Sequence, residues 1–308
     1  MTAVTETNRP IPARPDSVVY ARLLVTALFW GGTFIAGRSL SQDMAPFSAA
    51  FLRFAFASLF LVTMVSYREG GLPRPEKSIL VPLFFLGMTG VFLYNFFFFS
   101  GLRFIPAGRA SLIIAANPVF IALFAAVFFR EKLSPLRIFG ILLCVTGAVT
   151  VISRGNSHAL FTGDIGRGEL LILGCVASWV LYSLIGKHVM GRMSPMAAVT
   201  WSCIIGAAAL LPAAAAEGLF PALRDISPKN WASLFYLGFF GSALGFTWYY
   251  DGILRIGPSR AGIFINFVPL FAIVLAFAIL HEPVDRSLLA GAFLVISGAY
   301  LTNRKTAA

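Results

Sequence analysis

The chain has 308 residues, of which 58% are hydrophobic and only 12% are charged. Soluble globular domains carry roughly 25% charged residues, so the composition excludes a water-soluble protein and indicates a large lipid-facing surface. The net charge of +11 does not indicate nucleic-acid binding, because the Lys and Arg residues lie between apolar runs rather than together on a polar domain. We therefore expect a lipid bilayer, and no nucleic acid, as a partner.

Ten apolar runs follow a polar, proline-rich segment over residues 1–19, which we predict to be a disordered N-terminal tail. The runs have about the 20 residues that a helix needs to cross a bilayer, and they lack the period-two alternation of barrel strands. The sequence thus predicts an all-α, multi-pass transmembrane protein of ten helices. The predicted spans are 20–38, 46–67, 78–100, 107–129, 135–153, 168–188, 195–217, 231–251, 258–280 and 286–303.

Lys and Arg residues in the loops predict the orientation of these spans, because positive residues favour the cytoplasmic side. With a cytoplasmic N-terminus, fifteen of them fall on the cytoplasmic side and eight on the other, and Arg53 is left inside a span. We therefore predict that both termini are cytoplasmic and that the protein lies in the inner (plasma) membrane.

The ten spans form an internal repeat of five helices, covering residues 20–153 and 168–303. Matched positions are 149 residues apart in the first two helices and 151 apart in the other three. Because five is odd, the second copy enters the membrane from the opposite side, which predicts inverted repeats, alternating access and a substrate site near the midplane. The matched pairs are Trp30/Trp179, Gly37/Gly186, Pro46/Pro195, Gly87/Gly238, Gly90/Gly241, Gly101/Gly252, Arg109/Arg260, Pro118/Pro269, Glu131/Glu282, Gly140/Gly291 and Gly147/Gly298.

Aromatic residues near the middle of the spans are the first candidates for substrate binding. Trp30 and Trp179 are too central for an interfacial aromatic belt. Facing a cavity, such rings stack on planar substrates and hold an ammonium by cation–π attraction of roughly 0.5–2 kcal/mol each. Tyr94, Tyr182 and Trp248 are further candidates, and helix packing between the halves is the alternative role for all five.

Two proline-interrupted helices are the second candidate. Pro118 and Pro269 occupy matched positions, and paired interruptions of this kind are the best sequence indication of a transport site. Asn117 and Asn266 precede these prolines, and Asn95 lies in the third helix. Each amide both donates and accepts, so we expect the three to bind a polar substrate group, with interhelical hydrogen bonding as the alternative.

Charged residues at the ends or inside of spans are expected to be gating or structural elements. A carboxylate-bearing substrate is a natural partner for Arg53, but its long stem can snorkel and we favour a structural role. Glu131 and Glu282 end the fourth and ninth helices, where we expect caps or gate latches.

Small residues and missing motifs complete the expectations. Gly140 and Gly147 are explained by close helix approach, with a dimer face as the alternative and a monomer favoured. The three cysteines lack metal-site spacing, and no catalytic or nucleotide-binding motif is present. We therefore expect no metal, no cofactor and no enzymatic activity.

Several stretches resemble the drug/metabolite transporter superfamily in its ten-helix EamA-type branch. They include ALFWGGTFIAGRSL and PFSAAFLRFAFASL in the first half, and GLRFIPAGRASLIIAANPVF with its echo GILRIGPSRAGIFINFVPLF. The resemblance covers about residues 20–303 and implies a secondary transporter that exports amino acids or other small metabolites. Within that branch, the many aromatic residues make the chain most similar to the YddG-like aromatic amino-acid exporters.

Two other functions remain as alternatives. A carrier of nucleotide-sugars or sugar phosphates would favour several cations in the cavity, and Arg53 alone qualifies. A non-transporting membrane protein has no need of inverted repeats.

Overall fold

The computed structural model describes residues 16–129, 133–155, 166–189 and 191–303, and every regular element within these ranges is helical. Ten long helical stretches follow the predicted order, beside a short helical turn at Leu219–Ala222. They are α1 (Asp16–Asp43), α2 (Pro46–Glu69), α3 (Lys77–Leu102), α4 (Ala107–Ile114 and Asn117–Phe129), α5 (Pro135–Ile152), α6 (Arg167–Val189), α7 (Pro195–Ala216), α8 (Pro228–Tyr236, Leu237–Leu244 and Gly245–Ile256), α9 (Pro258–Ile265 and Val268–Leu280) and α10 (Arg286–Asn303).

The first helix begins earlier than the sequence indicates. Residues 16–19, assigned above to the tail, form the first turn of α1. Eight of the described helices are long and apolar enough to cross a membrane. Since α8 and α10 are not among these eight, their crossing stays a prediction from the repeat.

Three helices begin with the same Ser-Pro sequence, in which the serine is the N-cap. Ser134, Ser194 and Ser227 precede the prolines that open α5, α7 and α8, and each Ser side chain accepts a hydrogen bond from the N–H three residues further on. Proline suits the first helical position because its missing N–H would have no partner there. These starts are therefore determined locally by the sequence.

Matched helices of the two repeats pack against each other in antiparallel pairs. Ser48 at the start of α2 contacts Glu217 just beyond the end of α7, whereas Glu69 at the end of α2 contacts Ser194 at the start of α7. The pair α5 and α10 runs antiparallel as well.

Glycines allow the close approach of α5 to α10. A Cβ atom added to Gly140 would lie 2.8 Å from the Gly298 carbonyl oxygen, and one added to Gly147 would lie 2.7 Å from the Val295 nitrogen. The glycines that the sequence left open as a dimer face thus pack within the chain.

Further contacts cross between the repeats. The first repeat's α1 packs on α8 and α9 of the second, and α6 packs in the same way on α3 and α4. The repeats therefore meet through the middle of the bundle. Large apolar side chains such as Leu142, Leu254, Phe277 and Phe293 remain exposed on the outside, as a lipid-facing surface requires.

Candidate functional site

Trp30 joins α1 to α8 at the interface between the repeats. Its indole Nε1–H donates to the carbonyl oxygen of Gly241 at 2.9 Å. Its ring lies 5.7 Å from that of Phe246 and 5.2 Å from that of Tyr249. A half-buried aromatic surface with a satisfied polar atom results, since the N–H group of a buried tryptophan usually has a hydrogen-bond partner.

Trp248 lies apart from this group. Its ring is 5.8 Å from that of Phe29, and the Arg22 guanidinium lies 5.3 Å from its centre. Arg22 is only about two turns from the start of α1, so Trp248 belongs to the end of the bundle. The aromatic residues of α8 that contact Trp30 are instead Phe246 and Tyr249.

Tyr94, Trp179 and Tyr182 form a second aromatic group, between α3 and α6. Trp179 lies 5.6 Å from Tyr94 and stacks on Tyr182 at 5.1 Å. Tyr94 in turn stacks on Phe98 at 6.0 Å. The Tyr182 ring fills the space that a side chain at Gly90 would need. The matched tryptophans thus lie in two separate groups, each at the same kind of contact between repeats.

Both α3 and α8 widen into a π-helical turn beside these groups. The turns cover Met88–Leu93 and Leu237–Leu244 and are matched by the repeat. They contain Gly90 and Gly241, the glycines that contact Tyr182 and Trp30. Such insertions interrupt the regular helical hydrogen bonds and are frequent at functional sites. The sequence analysis paired the glycines but did not indicate the π-helical turns.

Arg53 projects from α2 towards α3. Its Nη1–H donates to Asn95 Oδ1 at 3.0 Å, and Asn95 donates through Nδ2 to the Val91 carbonyl at 2.8 Å. The guanidinium also lies 5.1 Å and 5.8 Å from the rings of Phe54 and Phe98. Arg53 and Asn95, proposed separately from the sequence, therefore form one polar group beside the α3–α6 aromatics.

The helix interruptions lie at matched positions, close to Pro118 and Pro269. The turns fall at residues 115–116 in α4 and 266–267 in α9. Asn117 Oδ1 and Asn266 Nδ2 are buried without a hydrogen-bond partner among the described residues. An unsatisfied buried amide atom is unfavourable, so each interruption presents a polar atom that a ligand or water would satisfy.

Two carboxylates cap helices that belong to the other repeat. Glu282, just beyond α9, accepts hydrogen bonds from the N–H groups of Ala107 and Gly108 at 2.9 and 3.2 Å. Glu217 accepts from the Ser48 N–H at 2.9 Å. Glu282 is thus placed as a cap, as one of the sequence alternatives predicted, whereas Glu131 lies outside the described residues.

The opposite end of the bundle, the predicted cytoplasmic end, has a different bridge between the repeats. Arg68 at the end of α2 makes two hydrogen bonds of 2.7 and 3.1 Å to the Asp251 carboxylate on α8. Both side chains are partly exposed. The sequence analysis did not pair these residues, because they lie 183 positions apart.

A second buried arginine, Arg109, is fully bound. It donates to the Val151 carbonyl at 2.6 Å and to Asp285 at 2.8 Å. Burial alone would raise the pKa of Asp285. Hydrogen bonds from Ser287 and from the Leu288 N–H, together with the charge of Arg109, outweigh it and hold that pKa below its usual value. The sequence analysis placed Arg109 at the start of the fourth span and did not indicate its burial.

An open cleft of about 260 Å³ lies at the end of the bundle that contains Glu282. Its lining includes Arg38, Gln42 and Asp43 at the end of α1, together with Lys229 and Glu282. This polar cleft lies at the predicted non-cytoplasmic face.

Comparison with known families identifies transporters. A model of the EamA-like transporter family matches residues 18–153 and 166–304, which correspond to the two five-helix repeats. The chain is 28% identical to the uncharacterized transporter YyaM of Bacillus subtilis (strain 168), over 91% of this chain and 92% of that protein. It is also 28% identical to an uncharacterized transporter of Archaeoglobus fulgidus, over 94% of this chain and 99% of the relative.

A third relative has a name that specifies its cargo. It is the "Probable terminal-alkyne amino-acid exporter" of Streptantibioticus cattleyicolor, 29% identical over 92% of this chain and 93% of that protein. A solved crystal structure with 21% sequence identity has a TM-score of 0.62 and covers 94% of this chain and 98% of its own. This likeness supports the fold alone.

Proposed function

Because the chain belongs to the EamA-like transporter family, we propose that it is a secondary transporter of the plasma membrane that exports amino acids, aromatic ones in particular, by alternating access. The observation that carries the proposal is the pair of aromatic groups at the contacts between the repeats, around Trp30 and around Trp179. The name of the exporter from Streptantibioticus cattleyicolor independently favours amino acids as cargo.

The proposed substrate site consists of these groups and the polar atoms near them. Aromatic faces provide stacking and cation–π attraction for a ring and an ammonium. The unsatisfied amide atoms of Asn117 and Asn266 would bind its polar end. The proposed residues are Trp30, Tyr94, Asn95, Asn117, Trp179, Tyr182 and Asn266, with the helix breaks before Pro118 and Pro269.

The proposed mechanism follows from the antiparallel packing of matched helices. When two like halves face opposite ways, an exchange of their conformations closes one face and opens the other. In the described conformation, Arg68 and Asp251 join the halves at the predicted cytoplasmic end, and the cleft opens at the other end. The π-helical turns of α3 and α8 are positioned to bend during the exchange.

A flux assay tests the proposal. The purified protein is reconstituted into liposomes, and uptake of labelled tryptophan and phenylalanine is measured with and without a pH gradient. We expect saturable uptake above that of protein-free liposomes, with competition by aromatic amino acids and none by phosphorylated sugars. Competition by phosphorylated sugars, or no amino-acid uptake, would contradict the proposal.

Variants locate the site. Asn117→Ala, Asn266→Ala and Trp30→Phe should each reduce uptake. Trp248→Phe is the matched control, because its ring lies at the end of the bundle and it should retain the wild-type rate. Wild-type rates in both asparagine variants would remove the helix breaks from the site.

A further inference from the structure

We propose that Arg53 binds the carboxylate of the transported molecule, so that the protein selects carboxylic acids, amino acids included, over amines that lack a carboxylate. The inference rests on the proposed function and names the chemical group that the same interface recognises. It also assigns to Arg53 a role different from the structural one that the sequence favours.

Among the residues that the structure describes, no carboxylate provides a counter-charge for the guanidinium of Arg53. It has five N–H donors, and its one hydrogen bond within the described residues is that of Nη1 to Asn95. The Nε atom is buried without a partner, and no described carboxylate forms an ion pair with the side chain. A buried cation in this state is unfavourable until an anion arrives, so intramembrane cations are typically functional.

Arg109 shows what a structural buried arginine looks like in the same protein. It is 7% exposed, and its two terminal nitrogens bind a carbonyl and the Asp285 carboxylate. A structural role thus explains Arg109 fully. Within the described residues, Arg53 donates one hydrogen bond, to the neutral amide of Asn95. Its charge and most of its N–H donors are therefore available to a ligand.

The position of Arg53 fits an aromatic substrate. The residue lies seven positions into α2, about 10 Å along the helix from Pro46. It is 5.8 Å from the Phe98 ring, which stacks on Tyr94, and a Cβ atom added to Gly238 of α8 would lie 3.0 Å from the Arg53 carbonyl oxygen. The cation therefore lies between helices of both repeats, next to the aromatic surface.

Arginine is well suited to this task. Its planar fork matches a carboxylate with two parallel hydrogen bonds, and such charge-assisted bonds are the strong ones in proteins. The hydrogen bond that Arg53 Nη1 donates to Asn95 Oδ1 holds one side of the fork in place. Nε and the remaining terminal nitrogen are then available for the two oxygens of a carboxylate.

The test uses two analogues of phenylalanine that each lack one charged group. Uptake of labelled phenylalanine by liposomes that contain the protein is measured in the presence of each unlabelled analogue separately. The analogue 3-phenylpropanoate keeps the carboxylate, and 2-phenylethylamine keeps the amine. For the wild-type protein we expect the acid to inhibit at concentrations at least about tenfold lower than the amine, since a hydrogen bond to a charged group has about this effect.

Substitutions then assign the preference to Arg53. Arg53→Gln should abolish the difference between the analogues and raise the KM for phenylalanine about tenfold or more, whereas Arg53→Lys should retain a preference for the acid. Arg103→Gln is the matched control. It removes one positive charge from an exposed residue that binds the Ser41 carbonyl at the end of α1, and it should keep the wild-type preference.

Three results would overturn the proposal. The first is equal inhibition of uptake by both analogues in the wild type. The second is an unchanged preference for the acid in Arg53→Gln. The third is that folded Arg53→Gln is inhibited less by both analogues to the same extent, which would mean a structural role. If Arg53→Gln does not fold, the wild type and Arg53→Lys decide.

A binding measurement separates this proposal from the proposed function. The melting temperature of the purified protein is measured with each analogue. Stabilisation by 3-phenylpropanoate and not by 2-phenylethylamine, absent in Arg53→Gln and retained in Arg53→Lys, supports the carboxylate site even where phenylalanine is not transported. Equal shifts with both analogues in the wild type count against the site.

Discussion

The carboxylate of Glu282 provides a prediction that can be worked out from the structure. It accepts hydrogen bonds from Ala107 and Gly108, the first two residues of α4, at 2.9 and 3.2 Å. The residue before this helix, Pro106, has no side-chain hydrogen bond of its own to offer. The Glu282 side chain is only 13% exposed. Its loss therefore leaves two backbone donors poorly hydrated at the start of α4.

The expected magnitude has two parts. Removing an N-cap acceptor costs about 0.5–2 kcal/mol, and removing a negative charge from a helix N-terminus costs about 0.3–1 kcal/mol. We expect Glu282→Ala to lower the free energy of unfolding by about 2 kcal/mol, and Glu282→Gln by about 1 kcal/mol because the amide oxygen still accepts one bond. The Arg38 contact at 3.9 Å adds little, since it is long and partly exposed.

The assay is unfolding of the purified variants in detergent, measured side by side with wild type. The control is Glu76→Gln at an exposed glutamate that accepts a hydrogen bond from the Ser78 hydroxyl at 3.2 Å. This substitution should change the free energy of unfolding by no more than about 0.5 kcal/mol. The reasoning is refuted if both Glu282 variants are as stable as this control. A faster transport rate in Glu282→Gln at wild-type stability would assign a gate instead of a cap.

Two further predictions concern packing and the bridge at the predicted cytoplasmic end. Gly298→Ala places a Cβ atom 2.6 Å from a backbone oxygen of α5 and should destabilise the protein by about 1–3 kcal/mol through overpacking, as thermal unfolding will reveal. Gly262→Ala, whose Cβ meets nothing within 4 Å, is the control and should be neutral or stabilising. Asp251→Asn should change stability by at most about 1 kcal/mol because its ion pair is partly exposed, yet it should alter the initial uptake rate. The exchange of Arg68 and Asp251 in a double variant should restore that rate, and a double variant as impaired as Asp251→Asn would contradict the bridge.

The class of protein was predictable because lipid imposes strong composition rules. Long apolar runs with charges between them permit few structures other than a helical membrane protein, and family membership agrees with this prediction. The repeat was equally visible, since Gly140 and Gly147 are matched by Gly291 and Gly298. The close contact of Gly140 with Gly298 depends on the absence of a side chain. Starts such as Ser194-Pro195 were local signals as well.

The partners of the candidate residues were not predictable, because they are separated by large distances in the sequence. Trp30 and Trp179 are matched by the repeat, but their neighbours are not. Trp30 packs against Gly245, whereas the matched position is Tyr94, whose ring lies 5.6 Å from that of Trp179. Because one of these matched positions is a glycine and the other a tyrosine, the two aromatic groups differ in shape.

By itself, the sequence determined the helices, their order and the twofold plan, since these depend on local apolar length and on small residues at regular positions. The tertiary structure alone decided which charges are satisfied. Glu282 accepts a hydrogen bond from the start of α4, 175 positions away in the sequence. Within the described residues, Arg109 donates a hydrogen bond to the Asp285 carboxylate, whereas Arg53 donates one to the amide of Asn95. Charge compensation in a bilayer depends on distances of a few ångströms between helices, and no local pattern encodes those distances.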